Sequence, residues 1–175
     1  MITTTRRSTT TRMMLVQQRL NSGIWKEMVT AAHGTASNAL QQPDLKNLVE
    51  KLTNLKVLAL SSVNNISSSQ LEVLTNFSSL NFLSLRFCEL EGQIPSEMLE
   101  LSQLEYLDLS WNGDSLGNLL KLRQTGGLRS LVDKLTNLKW LDLGYVNISS
   151  PLPDSLGNFS SLTHLSLRRC QLQGN

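Results

Sequence analysis

The chain has 175 residues, 40% of them hydrophobic, and a net charge of +2; that is enough for one domain with a core and excludes disordered and collagenous classes. The charge is uneven: residues 1–43 sum to +4 (Arg6, Arg7, Arg12, Arg19 and Lys26 against Glu27) and residues 44–175 to −2, which argues against a nucleic-acid groove in the latter. No apolar run approaches the roughly 18 residues of a membrane-spanning helix.

Residues 1–43 read as an irregular or partly helical N-terminal segment. MITTTRRSTTTR is rich in Thr and Arg, and MMLV is followed at once by QQR, so the apolar stretch of about 7–15 residues in a secretory signal is not visible. The composition leans toward an organelle transit peptide, the alternative being an unfolded or mis-assigned start. Val16, Leu20, Ile24 and Met28 have helical spacing and predict a short amphipathic helix around 13–32, against which Gly23 counts. Residues 36–43 (ASNALQQP) read as a connector.

From Asp44 onward a unit LxxLxxLxL recurs, with paired leucines at Leu58/Leu60, Leu83/Leu85, Leu107/Leu109, Leu141/Leu143 and Leu165/Leu167, in steps of 25, 24, 34 and 24 residues. A coarser duplication overlies it: Leu128–Gly174 repeats Leu45–Gly92 at 29 of 47 aligned positions, with one gap at Asn65. A fixed period of about 20–29 residues with this pattern marks a leucine-rich repeat. The predicted fold class is therefore an α/β repeat: a right-handed leucine-rich repeat solenoid of about five units over residues 44–175. A parallel β-sheet should line its concave face, with irregular or short helical segments opposite. Alternate residues of each short strand point to opposite faces, so the leucines face inward. One unit alone would lose about 24–48 kcal/mol of backbone entropy, at about 1–2 kcal/mol per residue. Its five or six aliphatics return far less, at about 1.5–3 kcal/mol each, so stability must be shared between stacked units.

The 34-residue step holds ten residues more than its neighbours. Gly113, Gly117 and Gln124-Thr125-Gly126-Gly127 are turn chemistry, so the region near 113–130 reads as a loop insertion. The two cysteines, Cys88 and Cys170, occupy equivalent sites three units apart. At about 4.8 Å per strand their α-carbons should lie about 14 Å apart, beyond the roughly 7 Å reach of a disulfide, and free buried thiols are expected.

No catalytic constellation is visible. The histidines, His33 and His164, have no cysteine or carboxylate cluster at metal spacing around them, and no nucleophile motif or phosphate loop is present. An enzyme, a metal site and a cofactor are accordingly not expected.

Laying the strands in register exposes two columns. The residue before the first leucine of each pair is Val57, Phe82, Tyr106, Trp140 and His164; the residue two places after the second is Ser62, Phe87, Trp111, Tyr145 and Arg169. Both should face outward from the inner sheet, and six of the nine aromatics fall in them. Aromatics with arginine are enriched where proteins bind one another. The expected partner patch is Phe82, Phe87, Tyr106, Trp111, Trp140 and Tyr145, with Arg86, Arg168 and Arg169 beside them and Asp108 and Asp142 in the column between, placed to orient a polar ligand. The competing reading is that the rings stack across strands and simply support the sheet. Asn65, Asn76, Asn147 and Asn158 each open an N-x-[ST] tripeptide, a glycan acceptor in a secreted chain or else plain repeat consensus.

The stretch Glu89-Leu90-Glu91-Gly92-Gln93-Ile94-Pro95, followed by Met98, Leu101 and Leu104, resembles the LxGxIPxxLxxLxxL form of plant leucine-rich repeat proteins, and residues 148–153 (ISSPLP) are a looser version. With LTNLKxL, VNISS and NFSSLxxLSLRxC, residues 44–175 are similar to the extracellular region of plant receptor-like proteins, including those of disease resistance. The resemblance implies an extracellular or plasma-membrane-associated site of action and a role in defence or developmental signalling. It implies a protein or peptide ligand on the concave face and a co-receptor kinase as a second partner. Secreted plant inhibitors of cell-wall-degrading enzymes, or a non-functional partial copy of a receptor-like gene, are the alternatives. The family's signal peptide, cysteine-paired cap and membrane helix are not visible here. The family's ladder asparagine is matched only by Asn112, the equivalents being Val63, Cys88, Val146 and Cys170, so the other turns are expected to rely on packing.

Overall fold

The computed structural model describes residues 54–60, 66, 71–113, 117, 119–122 and 126–173. The helix predicted around 13–32 and the glycan candidate Asn65 lie outside the described residues.

Five short strands, β1 (Val57–Ala59), β2 (Phe82–Ser84), β4 (Tyr106–Asp108), β6 (Trp140–Asp142) and β7 (His164–Ser166), form one sheet in that order. Every pair is parallel and joins equivalent residues, so Leu58, Leu83, Leu107, Leu141 and Leu165 stand in one row. The register follows from the repeat: a slip of one residue would turn each leucine to water. The second leucines extend the ladder, Leu60, Leu85, Leu109 and Leu143 each donating its N–H to the next strand at 2.9–3.0 Å.

The core is this double row of leucines closed from the far side by the connecting segments. Leu71, Leu74, Phe77, Leu80, Met98, Leu101, Leu104, Leu135 and Leu138 are all buried. Two 3-10 helices, Glu72–Asn76 and Ser96–Glu100, carry Leu74 and Met98 of that set on the convex side, and a third, Asp154–Asn158, buries none of its own residues. Only β7 departs from the expected inward burial. It is an edge strand, and Leu165 is 38% exposed.

Two expectations are corrected. The segment near 113–130, read as a loop, carries regular structure: β5 (Leu120–Lys121) pairs in parallel with β3 (Gly92–Gln93) in a second, two-stranded sheet. Asn147 adds an isolated bridge to Lys121, so this ladder flanks the main sheet along three units. The segment also reaches into α1 (Gly127–Lys134), which buries Leu128, Leu131 and Val132 where the other units place a 3-10 helix. Gly126 and Gly127 turn the chain into it with φ of 78° and 62°, a region open to glycine at no steric cost.

The second correction concerns the turns after each strand. Asn112 fulfils the ladder role: its Oδ1 accepts from the N–H of Cys88 (2.9 Å) and Leu90 (3.2 Å), and its Nδ2 donates to Leu85 O and Leu109 O at 2.8 Å. The cysteines do not rely on packing alone. Cys88 Sγ donates to Leu60 O at 2.8 Å and Cys170 Sγ to Leu143 O at 2.9 Å, each reaching back to the previous unit. A thiol is a weak donor of core size, and both cysteines are free and buried.

Candidate functional site: the aromatic concave face

Each strand presents one outward residue before its first leucine. In this first column Phe82, Tyr106, Trp140 and His164 are half-buried, outside the leucine core. Register puts them side by side, and they stack: ring centroids lie 4.0 Å apart for Phe82–Tyr106, 5.5 Å for Tyr106–Trp140 and 3.6 Å for Trp140–His164, with planes within 11–15° of parallel. His164 thus closes the stack, a role its column position signalled but its residue type did not.

The second column sits on a different backbone. After the second leucine the chain turns sharply, and Phe87, Trp111, Tyr145 and Arg169 all adopt positive φ, between 55° and 68°. The turn is fixed from the next unit, because Phe87, Trp111 and Tyr145 donate their N–H groups to Ser110 O, Gly144 O and Arg168 O at 2.8–3.3 Å. Left-handed backbone is uncommon for any residue but Gly and, less so, Asn or Asp, and is an outlier for bulky ones. Here it aims the rings at solvent: Phe87 is 44% exposed and Trp111 37%. Phe87 stacks on Trp111 at 5.3 Å, and Trp111 packs on Tyr145 at 4.0 Å with the planes tilted by 31°. Cations close both ends. The Arg86 guanidinium lies 5.0 Å from the Phe87 ring centre, and Arg169 sits 5.3 Å from that of Tyr145 while its Nη1 donates to the Tyr145 hydroxyl at 2.9 Å.

Between the columns lies a polar strip. Asp108, expected to orient a polar ligand, is only 5% exposed. The reason is local: its Oδ1 accepts the N–H of Ser110 at 3.0 Å and the Ser110 hydroxyl at 2.6 Å, folding the carboxylate into the turn. Burial is the main cause pushing its pKa above the usual carboxylate value, with neighbouring Asp142 adding to it; Ser110 and Arg86 oppose the rise. Asp142 accepts from Gly144 N–H at 2.9 Å and faces Arg86 Nη1 at 4.0 Å. Arg168 is exposed. Trp140 Nε1 is buried without a hydrogen-bond partner, an arrangement that costs about 1–3 kcal/mol.

Each column thus forms a run of ring contacts along the strands, Arg86 joins Phe87 to Asp142, and Asp108 is sunk into its turn. Sequence reasoning missed the turn partners Ser110 and Gly144 and the left-handed backbone. Among the described residues no group of three or more His, Cys, Asp or Glu could hold a metal ion, and no helix is long and apolar enough to cross a membrane.

A family model described as Zer-1-like leucine-rich repeats matches residues 46–174. The chain is similar to the receptor protein-tyrosine kinase CEPR1 of Arabidopsis thaliana, 33% identical over 70% of this chain and 12% of the relative. It is also similar to the receptor-like protein Cf-9 homolog of Solanum lycopersicum, 32% identical over 81% of this chain and 15% of the relative. The chain thus spans only about an eighth to a seventh of those relatives. Among solved structures, the Arabidopsis receptor kinase HAESA, in complex with the peptide hormone IDA and the co-receptor SERK1, aligns with a TM-score of 0.53 and 27% identity, covering 73% of this chain and 24% of that one.

Proposed function

We propose, from the premise that this chain belongs to the leucine-rich repeat family, that it is a non-catalytic module recognising a protein or peptide on its aromatic concave face. The single observation that carries this reading is the set of aromatic residues held at positive φ. Residues in such strained backbone cost about 1–3 kcal/mol each, a cost glycine avoids. Ring pairs return about 0.5–1.5 kcal/mol beyond area burial, but Phe87 and Trp111 leave 44% and 37% of their surface in water, exposed apolar area that the fold itself does not use. Strain of this kind clusters at ligand clamps, and Trp, Tyr and Arg are the residues that dominate binding energy at interfaces.

The partner patch is Phe82, Arg86, Phe87, Tyr106, Trp111, Trp140, Asp142, Tyr145, Arg168 and Arg169, with Asp108 setting its floor. The similarity to plant receptor-like proteins and to HAESA supports a peptide or protein ligand, a co-receptor kinase as second partner, and an extracellular or plasma-membrane-associated site of action. The module acts by binding rather than by catalysis. Pull-down from plant apoplastic fluid, run in parallel with wild type and a Trp111→Ala/Trp140→Ala variant, tests it. Recovery of a receptor kinase or peptide by wild type alone supports the reading. Recovery of a cell-wall hydrolase would make the chain an inhibitor instead, and equal recovery by both proteins would remove the patch.

A further inference from the structure

We infer that Asn76 and Asn158, on the convex ridge, are N-glycosylation sites, and that Asn147 is not. The inference rests on the extracellular reading above. Asn76 and Asn158 are the last residues of the 3-10 helices Glu72–Asn76 and Asp154–Asn158. In both tripeptides the middle residue is a buried anchor, Phe77 at 1% exposure and Phe159 at 8%. That anchor fixes the turn so that the asparagine before it and Ser78 or Ser160 after it are exposed.

The neighbouring units show what this column faces. Its equivalents are Glu100, ending the helix Ser96–Glu100, and Lys134, ending α1. Both are solvated and bonded to each other, with side chains 66% and 46% exposed. The column therefore reads Asn76, Glu100, Lys134, Asn158, a stripe of polar heads in water with room for a sugar at either end. Asn76 Nδ2 donates to Val73 O at 3.0 Å. N-linkage replaces one of the two amide protons, so the amide keeps one N–H donor.

Asn147 differs. Its backbone is a rung of the second ladder, its N–H donating to Leu120 O at 2.8 Å and its carbonyl accepting from Leu122 N–H at 3.0 Å. Its side chain is half-buried, and its Oδ1 accepts the Ser149 hydroxyl. A sugar there would have to grow from a side chain that is half-buried and already bonded to Ser149.

The reaction is transfer from a lipid pyrophosphate-linked oligosaccharide. A bond forms between asparagine Nδ2 and the sugar C1 as the C1–O bond to pyrophosphate breaks; the lipid pyrophosphate leaves with the electron pair, and the displaced amide proton is released. The chemistry needs no oxidant. With both glycans on the convex ridge, the aromatic face on the opposite side stays clear.

The test is to secrete the full chain from yeast behind an added leader, release glycans enzymatically in 18O-water, and map which asparagines become labelled aspartate. Label at Asn76 and Asn158 with Asn147 unlabelled is expected. In parallel, Asn76→Gln and Asn158→Gln should each remove one glycan's mass, whereas Asn147→Gln should remove none. Secreted protein with both ridge asparagines unlabelled, or label at Asn147, overturns the inference. The added leader makes this outcome independent of the native compartment. Partner capture by the Trp111→Ala/Trp140→Ala variant is read separately, so failure of the recognition reading would be distinct.

Discussion

Trp111 and Tyr145 pack with ring centroids 4.0 Å apart and planes tilted by 31°, and both are held in left-handed backbone, with φ of 59° and 68°. The contact partly offsets a conformational cost that glycine would not incur. Trp111→Gly should therefore cost less than the about 3–5 kcal/mol of truncating a core aromatic, since relief of the strained φ offsets the loss of its two ring contacts. Chemical denaturation of the two proteins measures this. A loss above about 3 kcal/mol would mean that the ring is structural.

Asn112 is the opposite case. It is 2% exposed and satisfies two N–H groups and two carbonyls. Asn112→Ala orphans buried groups worth about 1–3 kcal/mol each, so a fall of about 3 kcal/mol or more is expected in denaturant titration, with no contact of the aromatic face removed.

Asp108 supplies a pH dependence. Its pKa is raised in the fold, mainly by burial, so the folded chain binds that proton more tightly than the unfolded chain does. The stability this contributes is fully present below the ordinary carboxylate value of 3.8 and is lost as pH rises through the raised folded value. Asp108→Asn should flatten this descent while its side-chain oxygen still accepts from Ser110. Denaturation between pH 3 and 7 reads the difference, and parallel pH profiles would contradict it.

The thiols should be inert in the native chain. Burial pushes Cys170 up to about 11, and its Sγ donates to Leu143 O, so little thiolate, the reactive form, exists near neutrality. By the same linkage, the Cys170 contribution to stability is lost as pH rises from about 9 to about 11. An aromatic disulfide reagent at pH 8 should label Cys88 and Cys170 only as fast as the chain opens, and immediately in denaturant.

The sheet and its register were legible because the leucine period forces them: once Leu83, Leu107 and Leu141 share a row, Phe82, Tyr106 and Trp140 must share another. The left-handed turn was hidden, since the positions that adopt it carry Phe, Trp and Tyr in place of the glycine that would announce it. α1 was overlooked although Leu128, Leu131, Val132 and Leu135 have i, i+3, i+4, i+7 spacing; the four residues Gln124–Gly127 drew the reading toward a loop. β5 is two residues long and is paired by the neighbouring units, so local pattern alone marks it weakly. The thiol bonds of Cys88 and Cys170 were missed because cysteine was weighed as a small hydrophobe, without its capacity to donate.

On the proposed function, the paired aromatic columns bind a partner. The most direct measurement is the dissociation constant for the captured partner with wild type and with the Trp111→Ala/Trp140→Ala variant, each confirmed folded by its melting curve. Interface anchors of this type cost at least about 2 kcal/mol on truncation, so weakening of about 30-fold or more is predicted. Equal affinity of two equally folded proteins would contradict the account.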